Sequence, residues 1–220
     1  MKPKTIGILG GAGPLAGAAL LDRVLRLSQV MYGCNKDADF PKVILISFPF
    51  SEMLTGDIDI ENVRKELKDS LRELRQNGAA VLGIACNTLH AFLDEDEQYD
   101  DLILLPQAVA GKVDRDVPLV LCTSTSVRFN LHKRFFPCNY LDPERQRQLD
   151  EVIEWILAGK EETAVVQRLI EIINGVQTRT IVLGCTEISL FKDPLALLGI
   201  RVIDPLDILA EAILKKSYQK

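Results

Sequence analysis

Apolar residues arrive along this chain in short, nearly unbroken runs, separated by longer stretches in which they recur every three or four positions. The unbroken runs are "KTIGIL" (4–9), "KVILIS" (42–47), "AAVLGIAC" (79–86), "VPLVLC" (117–122), "TIVLGC" (180–185) and "IRVID" (200–204). Runs with both alternate positions apolar predict strands buried on both faces, as parallel sheets require. The intervening stretches have helical spacing. "IDIENVRKELKDSLRELRQNG" (58–78) places Val63, Leu67, Leu71 and Leu74 on one face, and Gly78 stops it. Another helix starts at Pro14, whose missing N–H costs nothing at a first helical position. Helices are also predicted after Asn87-Thr88 and over "SVRFNLHKRFF" (126–136), "PERQRQLDEVIEWILAG" (143–159), "KEETAVVQRLIEIING" (160–175) and "PLDILAEAILKK" (205–216).

Strand and helix alternate almost throughout, which predicts an α/β fold of parallel sheets with helices on both faces. A faint repeat adds detail. "VLGIACNTL" and "TIVLGCTEI" each run an apolar strand into a cysteine and then a polar, threonine-containing turn, nearly half the chain apart. Two similar lobes would give that spacing. The change of lobe is expected in "LLPQAVAGKV" (104–113), with the last helix returning to the first lobe. The expected division is 1–105 plus 205–220 for one lobe and 106–204 for the other, with the active site in the cleft between them.

Composition narrows the classes. The 220 residues carry a net charge of -5, whereas a nucleic-acid surface needs clustered positive charge. No run of 18 uncharged apolar residues occurs, so no membrane span is expected. The N-terminus has Lys2 and Lys4 ahead of an apolar stretch, but Gly7, Gly10, Gly11, Gly13, Pro14 and Gly17 make it poor material for a signal-peptide helix. Five cysteines without a CxxC, and two histidines, give no metal-ligand spacing and fit a reducing, cytoplasmic setting.

Ligands of open parallel sheets bind beyond the carboxyl ends of the strands. Four predicted strands end in residues suited to that place: Gly10-Gly11-Ala12-Gly13, Cys86-Asn87-Thr88, Cys122-Thr123-Ser124-Thr125-Ser126 and Cys185-Thr186-Glu187. Gly11-x-Gly13-x-x-Ala16 has the outline of a dinucleotide fingerprint, yet "KVILISFPF" ends without the acidic residue that would hold a ribose. The glycines fit better as a loop whose backbone approaches a small anion, such as a carboxylate. Free cysteine is usually a core residue, and Cys34, Cys122 and Cys138 are read that way. Cys86 and Cys185 differ because each ends a strand and begins a helix in the repeated unit. A helix N-terminus there would lower a thiol's pKa from about 8.5. Two thiols facing across a cleft can take a proton from one face of a carbon and return one to the other.

The set "GILGGAGP", "ACNTLH", "TSTS" and "GCTEI" resembles the cofactor-independent aspartate/glutamate racemase family, in its aspartate racemase-like branch, over nearly the whole chain. The resemblance implies an amino-acid racemase with no pyridoxal, metal or nucleotide, often a homodimer. It puts Cys86 and Cys185 in the places of the two acid/base thiols. Gly11, Ala12, Gly13, Asn87, Thr88, Thr123, Ser126, Thr186 and Glu187 fall where the family holds the substrate's amino and carboxylate groups. There are departures. Ala12 stands where methionine is common and Ser126 where threonine is. No arginine follows "SFP", where many aspartate racemases carry one for a substrate carboxylate, and "FPFSEM" is similar to a sister branch with broader substrates.

His90, four residues past Cys86, reads either as a capped, half-buried imidazole or as a group tuning the thiol. His132, beside Lys133-Arg134, is expected at the surface. The rival functions are a hydantoin racemase or related isomerase of the same fold, and a small-ligand binding protein that lost turnover. A redox protein is disfavoured by the lack of CxxC.

Overall fold

The computed structural model describes residues 2–54, 57–94, 96–114 and 116–219. Two parallel sheets organise them. In the first, β1 (Ile6–Gly10), β2 (Val43–Ser47), β3 (Val81–Ile84) and β4 (Leu102–Ile103) lie in the order β2-β1-β3-β4. In the second, β5 (Leu119–Val120), β6 (Thr180–Val182) and β7 (Arg201–Ile203) lie in the order β5-β6-β7. Every pairing in both sheets is parallel. β1, β3, β5 and β6 are buried at every position, as strands covered on both faces must be, whereas β2 and β7, at sheet edges, are partly exposed despite their apolar runs.

Helices cover the sheets. α1 (Pro14–Tyr32) and α2 (Ile60–Gln76) follow β1 and β2. α3 (Leu105–Ala110) and α4 (Ser124–Arg128) are short. α5 (Pro143–Leu157), α6 (Glu162–Ile173), α7 (Lys192–Ala196) and α8 (Pro205–Tyr218) complete the set. α8 packs against α1, α3 and β3, so the chain's last helix lies on the first sheet, while α5 and α6 pack together beside the second. Val63, Leu67, Leu71 and Leu74 form the buried face of α2, as its spacing predicts. Its start is fixed by Asp59, whose side chain accepts from the Asn62 N–H at 3.0 Å. Asp142 caps α5 in the same way, accepting from the Glu144 and Arg145 N–H groups, with Pro143 next in line. Each such cap contributes about 1 kcal/mol.

Two expectations change, and one helix was not foreseen: within 104–113, α3 forms from Leu105 and docks on α8. The helix expected over 126–136 is broken. α4 ends at Arg128, Asn130 takes a left-handed φ of 50°, and a separate 3-10 turn covers His132–Arg134. The segment after Cys86 is a 3-10 turn, Thr88–Phe92, rather than an α-helix. All five of its side chains are buried, so it has no solvent face on which a helical period could be written.

Candidate active site

The carboxyl ends of β1, β3 and β6 and the segment after β5 converge on one cleft of about 280 Å³, at the low end for a ligand pocket and suited to a small molecule. Cys86 and Cys185 both line it. Cys86 leaves β3 of the first sheet and Cys185 leaves β6 of the second, so the thiols reach the cleft from different sheets. Gly11, Ala12, Gly13, Asn87, Thr88, Thr123, Thr186 and Glu187 line the same space. The rest of the wall is Pro14, Phe50, Ser51, Glu52, Met53, Leu54, Ile153, Leu157 and Gly184.

Hydrogen bonds between the two halves hold these groups in place. The Thr186 hydroxyl donates to the Ala85 carbonyl at 2.9 Å, tying the turn after Cys185 to the end of β3. The same hydroxyl lies 3.4 Å from Glu187 Oε2, so its one proton serves these two protein acceptors. Thr88 Oγ1 lies 3.2 Å from Thr123 Oγ1 and 3.0 Å from Ser126 Oγ. Thr123 caps α4 by accepting from the Ser126 N–H at 3.1 Å. Ser126 is fully buried behind this pair and does not line the cleft, so it orients Thr88 and Thr123 instead of facing a ligand. Asn87 is buried as well, and both ends of its amide are unpartnered. Leaving such an amide unpaired costs about 1–3 kcal/mol per group, so a ligand with one donor and one acceptor is the natural complement.

The glycine loop does approach a carboxylate, but one from the protein itself. Gly13 has φ 82°, and a Cβ there would overlap the Glu187 carboxyl group. Gly11, with φ 104°, packs so closely on Phe48 that a Cβ would overlap its backbone. Glu187 is 5% exposed. Its Oε2 accepts from the Cys185 thiol at 3.3 Å, while Oε1 has no partner. Burial, only partly offset by the bonds from Cys185, its own backbone and Thr186, pushes this carboxyl up to about 7.

The thiols do not have the lowered pKa expected of them. Burial first, then the nearby Glu187 charge, pushes Cys86 up to about 12 despite bonds from the Leu89 and Thr88 N–H groups. Cys185 is raised for the same two reasons, and the Cys86 charge adds to the effect. Short buried turns, where helices were expected, offer too little dipole to offset this desolvation.

His90 is buried and clamped. Its Nδ1 lies 2.9 Å from the Cys86 carbonyl and its Nε2 accepts the Leu105 N–H at 3.1 Å. Those partners fix the neutral tautomer with the proton on Nδ1, and burial lowers its pKa to about 4. It is a neutral strut between the Cys86 turn and α3. His132 is not at the surface: it is 1% exposed, with both ring nitrogens unpartnered, in space that Gly184 leaves open beside it. Cys34, Cys122 and Cys138 are buried away from the cleft, as expected of core residues.

Sequence reasoning missed the apolar wall of Met53, Leu54, Ile153 and Leu157. Met53 belongs to the loop after β2, which is hooked to α4 where Thr125 Oγ1 donates to the Met53 carbonyl at 2.5 Å. Ile153 and Leu157 stand four apart on α5, Ile153 buried in the core and Leu157 about half exposed at the cleft rim. Among the described residues no lysine, arginine or histidine lines the cleft, and no group of three or more His, Cys, Asp or Glu is placed to hold a metal. No helix among them is long and apolar enough to cross a membrane.

Fold and site together define a two-lobed α/β protein with a pair of thiols in a small polar-and-apolar cleft. No family model matches the sequence. The chain is 31% identical over 93 residues to the broad specificity amino-acid racemase RacX of Bacillus subtilis (strain 168). That match spans 42% of this chain and about two fifths (41%) of the relative. Among solved structures, the aspartate racemase of Picrophilus torridus superposes with a TM-score of 0.81 at 21% identity, covering 99% of this chain and 95% of that one. An aspartate racemase homologue from Pyrococcus horikoshii OT3 gives 0.71 at 20% identity, with 98% and 100% covered. The glutamate racemase of Thermus thermophilus gives 0.69 at 15% identity, with 98% and 81% covered. In fold the chain is of the aspartate/glutamate racemase type, and it resembles that family in sequence as well.

Proposed function

We propose that the chain is a cofactor-independent amino-acid racemase that inverts Cα by proton transfer between Cys86 and Cys185. The observation that carries this reading is the pairing of two buried thiols, delivered by different sheets, with the unpartnered Asn87 amide in one small cleft. An amino-acid zwitterion offers an ammonium donor and a carboxylate acceptor, which match the Asn87 Oδ1 and Nδ2. Thr88 and Thr123, oriented by Ser126, add hydroxyls to the carboxylate, and the turn N–H groups there stabilise the enediolate that forms as the α-proton leaves. One thiolate removes the proton, and the opposite thiol supplies another to the far face.

Among the described residues the cleft offers no cation to a second carboxylate, and it presents an apolar wall, so strict selectivity for aspartate does not belong to this reading. The lobe division at 105/106 and 204/205, a cytoplasmic location and a homodimeric state are parts of the same proposal. The partial likeness to the B. subtilis broad specificity amino-acid racemase supports it.

Racemisation in deuterated water tests the mechanism. Product should gain deuterium at Cα early while recovered substrate stays protonated. Cys86→Ala and Cys185→Ala should each abolish inversion, whereas Cys34→Ala, Cys122→Ala and Cys138→Ala should change the rate less than about tenfold, or ~1.4 kcal/mol of barrier. Near-parental racemisation by Cys86→Ala would end the paired-thiol reading. Ligand binding without any α-proton exchange would leave a binding protein.

A further inference from the structure

We propose that Glu187 is a positioning residue that holds the negative charge of the buried group it forms with the two thiols at rest, and accepts the Cys185 thiol proton when the thiolate is made. The inference rests on the two-thiol reading above and goes beyond it, assigning the source of the base.

Both thiols are buried against a carboxylate, and no cation lines the cleft among the described residues. Two negative charges on neighbouring groups this buried repel strongly, so Glu187 and the two thiols share one. The Cys185 Sγ–H already points to Glu187 Oε2 at 3.3 Å, so moving the proton needs no rearrangement. Glu187 itself is held by Gly13, whose lack of a Cβ admits the carboxylate beside the start of α1. The groups facing Glu187 from each neighbouring element are few. The end of β3 brings Cys86, its own turn brings Cys185 and Thr186, and the loop after β2 brings Glu52 to the same cleft. The β1–α1 loop brings no titratable group, and α5 brings Ile153 and Leu157. A carboxyl group held near neutrality, at about 7, is matched to exchanging a proton with these neighbours.

The proton count closes. The Cys185 S–H bond breaks, the proton forms an O–H bond on Glu187 Oε2, and the electron pair stays on sulfur. The thiolate then takes the substrate's α-proton, becoming a thiol again, while Cys86 gives its proton to the opposite face and becomes the thiolate. After product leaves, the Glu187 proton passes through solvent to Cys86, restoring two thiols and one carboxylate. The charge shared by Glu187, Cys185 and Cys86 is one negative throughout.

The test is the pH dependence of the parent and Glu187→Gln. In the parent, the reactive form (thiolate beside a protonated Glu187) grows with pH up to the Glu187 titration and then levels off. Both kcat/KM and the alkylation rate of Cys185 should therefore rise to a plateau above about pH 7. In Glu187→Gln the plateau should vanish, and both rates should climb about tenfold per pH unit from 7 to 9, as for a lone thiol of high pKa. Iodoacetamide labelling of Cys185, read by mass spectrometry in a Cys86→Ala background, needs no turnover. Its plateau and the loss of that plateau in Glu187→Gln would support the Glu187 role even if no amino acid were racemised, an outcome that would sink only the racemase reading. If Glu187→Gln keeps the plateau and merely lowers both rates by one factor at every pH, Glu187 is structural and the proposal fails.

Discussion

Acidification should destabilise this protein through its two histidines, by an amount that can be worked out from their surroundings. His90 and His132 are both buried, and burial holds each near 4 against about 6.5 in an unfolded chain. As pH falls below 6.5 the unfolded chain binds protons that the folded one refuses. Stability is therefore fully present above that pH, is lost as pH falls, and the loss saturates below about 4. A gap of that size corresponds to about 3 kcal/mol per histidine, or roughly 7 for the pair. Glu187 acts in the opposite sense. Its folded pKa of about 7 lies above the usual carboxylate value of 4.5, so protonation on acidification favours the folded form and returns about 3 kcal/mol. The net loss between pH 6.5 and 4.5 should be a few kcal/mol, a large part of a domain's usual 5–15. Urea unfolding at half-unit pH intervals measures it. His132→Leu should flatten the curve by about 1.4 kcal/mol per pH unit between 6 and 4.5, and Glu187→Gln should steepen it by as much. His132 is the cleaner probe, because its ring nitrogens have no partner to lose. Parallel curves for parent and His132→Leu would refute the reasoning, since the imidazole would then titrate alike in both states.

Other consequences follow from single contacts. Gly13→Ala should cost about 2 kcal/mol or more, because the left-handed backbone and the Glu187 carboxyl both oppose a Cβ. Combining it with Glu187→Ala should cost less than the sum of the two, and additive unfolding energies would show that the two residues do not meet. Across a panel of L- and D-amino acids, aspartate and glutamate should be turned over no faster than neutral side chains, because no cation among the described residues lines the cleft. Phe50→Arg should raise the aspartate rate relative to leucine by about tenfold or more, from a charged hydrogen bond of roughly 1.5–3 kcal/mol. Activity confined to aspartate in the parent would show that another group supplies that contact. Ser126→Ala should raise KM several-fold with the reaction itself intact, since Ser126 only orients Thr88 and Thr123. A kcat loss as large as that of Cys86→Ala would contradict this placement.

Much of the fold was written in one dimension. A strand covered on both faces must be apolar at every position, and a helix on a sheet must be apolar every third or fourth. β1, β3, β6 and α2 are therefore legible from residues 6–10, 81–84, 180–182 and 60–76 alone. The strand-end motifs were legible too, because parallel sheets gather those ends on one edge whatever their distance along the chain. Elements too short to show a period were not legible: β4, α3 and the turn after Cys86. Tertiary packing alone decided burial and proximity. It put His132 into the space beside Gly184, set Ser126 behind Thr88, and turned the Thr186 hydroxyl to the Ala85 carbonyl and the Glu187 carboxylate. It also placed Glu187, from the far half of the chain, against Gly13 and the Cys185 thiol. A cysteine at the start of a predicted helix suggests a lowered pKa, but the cost of removing charge from water depends on everything around the sulfur. Here those surroundings are a buried turn and a carboxylate, and they raise the thiol instead.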